Sequence, residues 1–338
     1  MATIADVYVK QYAANVYTLA QQKRSKFRNA VTGVDMKGDV RYLERVAPTS
    51  AVLASISEDS GVISGNAQRA RYADSPIIET VFSRRALFAN EYVWGDMVDW
   101  RDDLNVLIDP TSDVTKAGAM ALARTIDDII ITEMLGNAHA GVSGGTAVAL
   151  PDTQKIAATV GDTSQSPANT GFNLAKLIAA RSLFGKSDYD LDDPENQLFL
   201  AISQQQLDDL LLSLDVQSPD YTAVRAIYDG LRDTFMGFKF ILSNKLPLNT
   251  TTGVRSCIAW VKGGVVFAEP QPVSAHIAER PDKNFNWYAH MKMKVGATRM
   301  DETAVVEIAC QDGEPASSGG SSGGSGGSSG GSAGEGGE

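Results

Sequence analysis

The sequence has 338 residues, of which 43% are hydrophobic and 21% are charged, and its formal net charge is −11. This length and apolar content suffice for a sizeable core in one elaborate unit or two coupled lobes. The acidic balance argues against a protein that grips nucleic acid with its whole surface, and no run of about 18 apolar residues predicts a membrane span. The residues after Met1 are polar and charged, so we expect no cleaved secretion signal.

Residues 1–47 form a basic segment on an acidic chain, with eight Lys or Arg residues against four Asp or Glu. Its apolar residues recur at helical spacing, which predicts a stripe that docks on another surface. Two interpretations stay open: an arm that lies on a neighbouring subunit, or an ordinary first helix packed on its own domain. The segment by itself favours the second.

Residues 48–100 are typical of β-structure. Strand-forming residues at 77–82 and 87–94 predict two strands, and the Gly-rich polar stretch 55–76 predicts a long exposed hairpin or loop. No lysine occurs between Lys37 and Lys116, whereas arginines do, among them Arg69, Arg71, Arg84 and Arg85. Arginine suits a surface that meets another chain, but solvated charges at a sheet edge explain these residues equally well.

The strongest local signal is a helix over about residues 111–135. Cap-forming and acidic side chains at 109–113 begin it, apolar residues then recur every three or four positions, and Gly136 ends it. At about 1.5 Å per residue it forms a rod of roughly 36 Å. Asp127 and Asp128 are adjacent and point about 100° apart, so they cannot act as an acid–base pair, and Arg124 is their expected partner.

The rest of the chain predicts a mixture of helices and strands, hence an α+β fold. Asn173 caps a helix that Gly185 closes, and Ser203 caps another. An alternating strand begins near residue 287 and is followed by a bend at 301–302 and a return strand at 305–308. The other predicted elements are a helix at 221–231 and strands at 146–150, 198–202, 237–242, 254–261 and 265–269.

Motifs that could carry chemistry are weak. The G-x-S-x-G pattern around Ser143 would need a strand before it and a helix after it, whereas the predicted order is reversed, which favours a turn. The acidic run at 188–195 lacks the glycine and the final acid of a calcium loop, so a solvated turn is favoured over a weak cation site. Three separated histidines and two cysteines offer no metal-ligand spacing. We therefore predict no catalytic residue, no metal and no cofactor.

Several motifs, taken in order, resemble the major capsid proteins of tailed bacteriophages, which have the HK97 fold. The resemblance covers nearly all of residues 1–312. It rests on the segments 119–124, 127–130, 135–138, 174–181, 218–221, 237–238, 243–247, 279–283 and 296–299.

The resemblance implies five parts. They are an N-terminal arm (1–47), an extended β-hairpin loop or E-loop with flanking strands (48–100), a peripheral domain with a long spine helix (101–194 and 269–300), an axial domain (195–268 and 301–312) and a disordered Gly/Ser-rich tail (313–338). The arm and the E-loop are expected to lie across adjacent subunits. The candidate assembly-interface residues are Lys23, Arg24, Arg28, Arg69, Arg71, Arg84, Arg85, Arg280 and Arg299.

The implied function is a non-enzymatic icosahedral shell of pentamers and hexamers around phage DNA, which the protein contacts without sequence preference. We expect it in the virion after assembly in the bacterial cytoplasm, without a membrane, and with separate scaffolding, portal and decoration proteins as candidate partners. The E-loop has no lysine, so we expect no lysine–asparagine crosslink, and because the arm begins at Met1 we expect a separate scaffolding protein or none. The alternatives are an encapsulin-type compartment and, more remotely, a serine hydrolase using Ser143.

Overall fold

The computed structural model describes residues 22–47, 80–98, 110–162, 168–187, 189–190, 193, 196–213, 219–228 and 233–312. These residues form an α+β fold, as predicted. The helices are α1 (Pro110–Leu135), α2 (Leu174–Lys186), α3 (Gln204–Leu212) and α4 (Pro219–Tyr228). The strands are β1 (Thr32–Val34), β2 (Val40–Val46), β3 (Phe82–Phe88), β4 (Asn90–Val98), β5 (Ala138–Ala140), β6 (Thr146–Val148), β7 (Lys155–Ile156), β8 (Leu198–Ile202), β9 (Thr234–Phe235), β10 (Phe238–Leu242), β11 (Leu248–Asn249), β12 (Val254–Val261), β13 (Val265–Arg280), β14 (Asn286–Arg299) and β15 (Val305–Gln311). Of the helices described, none has the length and apolar character needed to cross a membrane.

Three sheets organise these strands. The hairpin sheet has the order β1-β13-β14-β4, and its two longest strands form an antiparallel hairpin. The mixed sheet has the order β7-β15-β12-β8-β10-β9, with β11 paired to β12. The base sheet, β2-β3-β5-β6, contains the strands on either side of residues 48–79. One hydrophobic core joins α1, the hairpin sheet and the mixed sheet.

Helix α1 forms where the sequence predicts it because its apolar stripe meets this core. Leu122, Ile126, Ile130 and Met134 are all buried. Full burial of such a side chain is worth about 1.5–3 kcal/mol, so tertiary packing supplies most of the stability of the helix. On the opposite side of the interface, Met291, Met293 and Val295 of β14 are buried while the lysines between them are not, which confirms the predicted alternation.

A glycine lets α1 lie close to the hairpin sheet. A Cβ atom at Gly118 would lie 2.5 Å from the ring of Trp94 in β4 and 3.0 Å from the sulfur of Met291. Glycine inside a helix costs about 1 kcal/mol relative to alanine. Glycine is nevertheless required at this position, because any larger residue would keep α1 from approaching the hairpin sheet this closely.

A buried arginine closes the carboxyl end of α1. Nη1 of Arg299 donates to the carbonyl oxygens of Met134 (2.7 Å) and Gly136 (3.0 Å), and Nη2 donates to that of Val148 (3.0 Å). The last carbonyls of a helix lack donors within the helix, and a cation suits the negative end of its dipole. Burial lowers the pKa of this guanidinium, although arginine remains charged in proteins.

Asp127 fastens the start of the described chain to the middle of α1. Its side chain is fully buried, and its carboxylate accepts hydrogen bonds from the side chains of Gln22 and Ser25. It also accepts from the backbone N–H groups of Lys26 (3.1 Å) and Phe27 (3.2 Å). A buried carboxylate is tolerated only with such donors, so the segment and the helix depend on each other.

The neighbouring Asp128 is exposed and pairs with Lys245, whose Nζ lies 2.6 Å from Oδ1 of the carboxylate. The same ammonium donates to the carbonyl oxygen of Arg124 at 3.1 Å. The sequence predicted a partner one turn away on the same helix. The structure shows partners for both carboxylates that are remote in sequence, which helical spacing could not indicate.

The mixed sheet holds the centre of the core. All five residues of β8 are buried. The indole of Trp260 in β12 stacks between Phe27 and Phe199, with ring centroids 5.6 and 5.7 Å away, and its Nε1 donates to the carbonyl oxygen of Ala30 at 2.8 Å. The N-terminal segment is therefore held to this sheet as well as to α1.

Strand β13 is much longer than the predicted residues 265–269, because it continues to Arg280. Its register with β14 shifts twice between residues 268 and 274, where Pro270 and Pro272 lie. Proline has no N–H to donate to the ladder, so each proline interrupts regular pairing. The interruption made one long, irregular strand look like a short one.

Two other predictions need correction in detail. Residues 87–94 are not one strand, because the chain passes from the base sheet to the hairpin sheet at Ala89. The return strand β15 is present as predicted, and its partner, which the sequence pattern did not specify, is β12 in the mixed sheet. Helix α2 begins at the predicted Asn173 cap but continues through Gly185, and the N–H of Ser187 closes it on the carbonyl oxygen of Phe184 (3.2 Å).

The remaining boundaries differ by a few residues. Helix α3 has the predicted cap at Ser203, in a capping box with Gln206. Helix α4 begins two residues before the predicted start at 221. Of the strand predicted at 77–82, residues 77–79 lie outside the described residues, and β3 begins at Phe82.

Asp127→Ala is expected to lower the free energy of unfolding by about 2–4 kcal/mol, because the buried N–H of Phe27 and the part-buried N–H of Lys26 lose their acceptor. In the same variant, hydrogen exchange at the backbone amides of Lys26 and Phe27 should be faster than in the wild type. Asp128→Ala is the matched control, since loss of an exposed pair costs about 1 kcal/mol or less. Equal destabilisation in the two variants would contradict the anchoring role, as measured by chemical denaturation of unassembled subunits.

Candidate assembly surfaces

The segment at residues 48–79 leaves and rejoins the described body at one place. The N–H of Ala47 donates to the carbonyl oxygen of Val81 at 2.9 Å, so the two chain ends are hydrogen-bonded to each other. Strands β2 and β3 continue this pairing into the base sheet, from Val46 opposite Phe82 to Val40 opposite Phe88. The root of the predicted E-loop is therefore a paired antiparallel ladder.

Two arginines fix this root to the bend that precedes β15. Arg85 has a side chain that is 3% exposed and forms an ion pair with Glu302. Arg45 donates to Glu302 at 3.3 Å and to the carbonyl oxygen of Met300 at 2.8 Å. Burial lowers the pKa of Arg85, and the charge of Glu302 opposes that shift. The hydroxyl of Tyr189 donates to the carboxylate of Asp301 in this bend at 2.7 Å. Burial raises the pKa of that tyrosine.

A cavity of about 720 Å³ opens beside this root. Apolar side chains on its rim are exposed to solvent: Phe82 at 70% and Val142 at 84%. Val46 of β2, which lies opposite Phe82, is also more than half exposed. We call Val46, Phe82 and Val142 the root patch. Clustered exposed apolar residues rimmed by charge mark surfaces that meet another molecule.

The G-x-S-x-G pattern lies in this region and forms a turn. Gly141 and Gly144 have φ values of 91° and 73°, which suit glycine, and the turn joins β5 to β6. A nucleophile elbow would lead into a helix, whereas a strand follows here. Nδ1 of His139 lies 3.2 Å from the carbonyl oxygen of Gly144, so the histidine braces the turn. The geometry does not support Ser143 as a nucleophile.

The N-terminal segment carries three of the predicted interface cations. Lys23 and Arg24 are exposed directly before the Asp127 anchor. Arg28 is also exposed and forms an ion pair with Glu269 while its guanidinium lies 6.0 Å from the ring centroid of Phe267. These cations sit where the chain that leads back to residue 1 joins the body.

The far end of the long hairpin carries another predicted residue. Arg280 pairs with Asp282 at 2.7 Å and lies 5.3 Å from the ring centroid of Tyr288. Asn284 and Phe285 turn the chain with φ values of 54° and 58°. Phe285 is 62% exposed, and such a φ is unusual for a bulky residue. The hairpin tip thus presents an aromatic ring and a cation.

The predicted interface residues fall into three groups. Lys23, Arg24, Arg28, Arg84 and Arg280 have accessible side chains. Arg85 and Arg299 lie inside the subunit and bind the bend and the end of α1, so we do not carry them into the interface proposed below. Arg69 and Arg71 lie outside the described residues.

The sequence pattern does not indicate the root patch or the exposed Phe285. It predicts a strand at Phe82, but alternation alone does not show that this side chain is on the exposed face. Phe285 directly follows the polar residues 282–284, and an aromatic residue at the end of a polar turn is the sequence feature that could have indicated it.

Of the acidic run at 188–195, Asp188, Asp192 and Glu195 lie outside the described residues. Within the part of the chain that is described, no group of three or more His, Cys, Asp or Glu residues could hold a metal ion.

A sequence model of the family described as phage capsid protein matches residues 4–312. The chain belongs to this phage capsid protein family. The resemblance inferred from the sequence is thereby confirmed, together with the shell-forming role of a capsid protein. No curated protein gives a match. Neither the family nor the solved structures favour an encapsulin-type compartment or a hydrolase.

Solved phage capsids have the same fold. The capsid of Ralstonia phage GP4 has a TM-score of 0.64 and 9% identity, covering 91% of this chain and 96% of that chain. The cyanophage Pam1 capsid has a TM-score of 0.63 and 10% identity, covering 93% and 100%. The capsid of cyanophage P-SCSP1u has a TM-score of 0.60 and 15% identity, covering 91% and 94%. At such identities the likeness establishes the HK97-like fold of this capsid protein.

Glu302→Ala in the capsid protein should cost about 3–5 kcal/mol of unfolding free energy, because the buried Arg85 loses its carboxylate. Glu44→Ala is the control, since its partner Arg84 is exposed and such pairs contribute about 1 kcal/mol or less. Thermal and urea unfolding of unassembled subunits measure both. A Glu302 variant as stable as the Glu44 variant would mean that the root is not held by this ion pair.

Proposed function

We propose that the chain is the major capsid protein that assembles through pentamers and hexamers into an icosahedral shell around phage DNA, in a structural and not an enzymatic role. The observation that carries the proposal is the root patch. It lies where a segment of the chain leaves the body and returns, and its apolar side chains have no cover within the described residues. A second copy of the chain would supply that cover.

The proposal includes the division into arm, E-loop, peripheral domain and axial domain. The pairing of β15 with β12 supports placing residues 301–312 with 195–268. Strand β13 crosses the proposed boundary at 268/269, with its proline-containing irregular stretch just beyond it. Bulges and prolines bend strands, so this stretch is a natural place for one part to pass into the other.

The proposed intersubunit contacts use the accessible cations of the predicted set and the root patch. Arg84 supports this, because its guanidinium lies 5.6 Å from the ring centroid of Tyr42 and beside the patch. Lys23 and Arg24 are proposed to face packaged DNA and to lower the repulsion between that DNA and an acidic shell, without reading sequence. Assembly in the bacterial cytoplasm, with separate scaffolding, portal and decoration proteins as candidate partners, belongs to the same proposal.

Negative-stain microscopy tests the proposal. The wild-type protein should form closed particles, and Phe82→Ser should reduce their yield while leaving the subunit folded, because the ring is mostly exposed in the subunit. Leu212→Ser is the matched control, since Leu212 is 83% exposed at the end of α3, away from the root patch. A compact monomeric wild type, or equal loss of particles in both variants, would refute the proposal.

Truncation after Asp312 should leave particle formation intact. Residues 315–338 are almost entirely Gly, Ser, Ala and Glu and cannot bury apolar surface. Truncation after Ala309 is the contrasting variant, because it removes the buried Cys310 and the carboxylate of Asp312 that pairs with Arg255 at 2.6 Å. We expect only the second variant to lose particles. Particle loss in the first, measured by microscopy and sedimentation, would show that the tail takes part in assembly.

A further inference from the structure

The long hairpin brings together two of the three histidines in the chain. His276 in β13 lies directly opposite His290 in β14. Directly opposed residues of antiparallel strands project from the same face, with Cβ atoms about 4.5–5.5 Å apart. The histidines have no metal-ligand spacing along the chain, because the strand register and not the sequence separation creates this pair.

Both rings are accessible. His276 is exposed, His290 is half-buried, and neither ring is hydrogen-bonded to a described residue. The residue opposite His290 on its other side is Gly95 of β4, which contributes no side chain. Tyr288 forms one wall, with its ring centroid 5.8 Å from that of His290. The hydroxyl of Tyr288 fills the space above Gly95, so a small ion would reach the pair from the solvent-exposed side of His276.

The charges nearby limit the strength of such a site. Lys292 is one row along the same face, opposite Ser274, and its ammonium repels a cation. Arg280 lies at the hairpin end, held over Tyr288 and paired with Asp282. With two protein ligands, water fills the remaining coordination positions, so binding is reversible and weaker than at a closed structural site.

We propose that His276 and His290 form a two-imidazole binding site for a first-row transition-metal ion such as Cu²⁺, Ni²⁺ or Zn²⁺. Imidazole nitrogen is the protein ligand that these ions share, and two rings held on one sheet face chelate an ion without backbone movement. Both ligands come from one chain, so the proposal does not rest on shell assembly. Every copy carries the pair, so an assembled shell would present one site per subunit.

Calorimetric titration of the untagged full-length protein with NiCl₂ at mildly alkaline pH tests the site. We expect one ion per subunit. His276→Gln and His290→Gln should each weaken binding about tenfold or more, because a single imidazole loses the effective concentration of the second. Electron paramagnetic resonance of the Cu²⁺ complex should show two nitrogen ligands in the wild type and fewer in either variant.

The third histidine provides the matched control. His139 lies in the base sheet against the carbonyl oxygen of Gly144, so His139→Gln should leave Ni²⁺ affinity unchanged. Circular dichroism verifies that all three variants remain folded. No Ni²⁺ binding by the wild type, unchanged binding in the His276 and His290 variants, or equal loss in all three would overturn the proposal.

Discussion

Charged side chains inside the subunit bind backbone groups of distant segments, and three attachments within the described residues depend on that interaction. Asp127 receives the N-terminal segment, and Arg299 closes the end of α1 on the base sheet. Lys176 donates to the carbonyl oxygens of Thr170 (2.7 Å), Gly171 (2.9 Å) and Ala309 (2.9 Å), which ties the start of α2 to β15. A buried charge is tolerable only while its partners are in place, so these segments cannot detach separately without a large penalty.

This constraint defines where a shell subunit can adapt. The N-terminal segment is fixed from Gln22 onward, and the loop ladder is fixed where Ala47 meets Val81. If fivefold and sixfold positions are both occupied, as proposed, the irregular stretch of β13 is the place within the described residues where a difference between them can be absorbed. Packed cores have few alternative arrangements, whereas terminal and loop positions accept changes of φ and ψ at little cost.

Local periodicity in the sequence predicted α1, the alternation along β14 and the caps of α2 and α3, because each depends on residues within a few positions of one another. Local periodicity carries no information on which strands, far apart in the sequence, pair with each other. The bend at 301–302 predicted a return strand but not that β15 would join the mixed sheet. Arg84 and Arg85 look alike in sequence, yet one is accessible and the other buried, since alternation fixes opposite faces without saying which is covered. Local patterns also could not predict the four donors to Asp127, because they come from residues about 100 positions away in the sequence.

The root patch also bears on the strength of contacts between copies. Burying a side chain such as Phe82 completely contributes about 1.5–3 kcal/mol, whereas association of two proteins costs an estimated 4–15 kcal/mol in lost freedom of motion. Two copies held through this patch alone would therefore separate readily. In a shell each copy meets several neighbours, and once the first contact exists the others form at high effective concentration. Weak single contacts let misplaced copies leave during growth, and closure of the shell then makes the same contacts collectively durable.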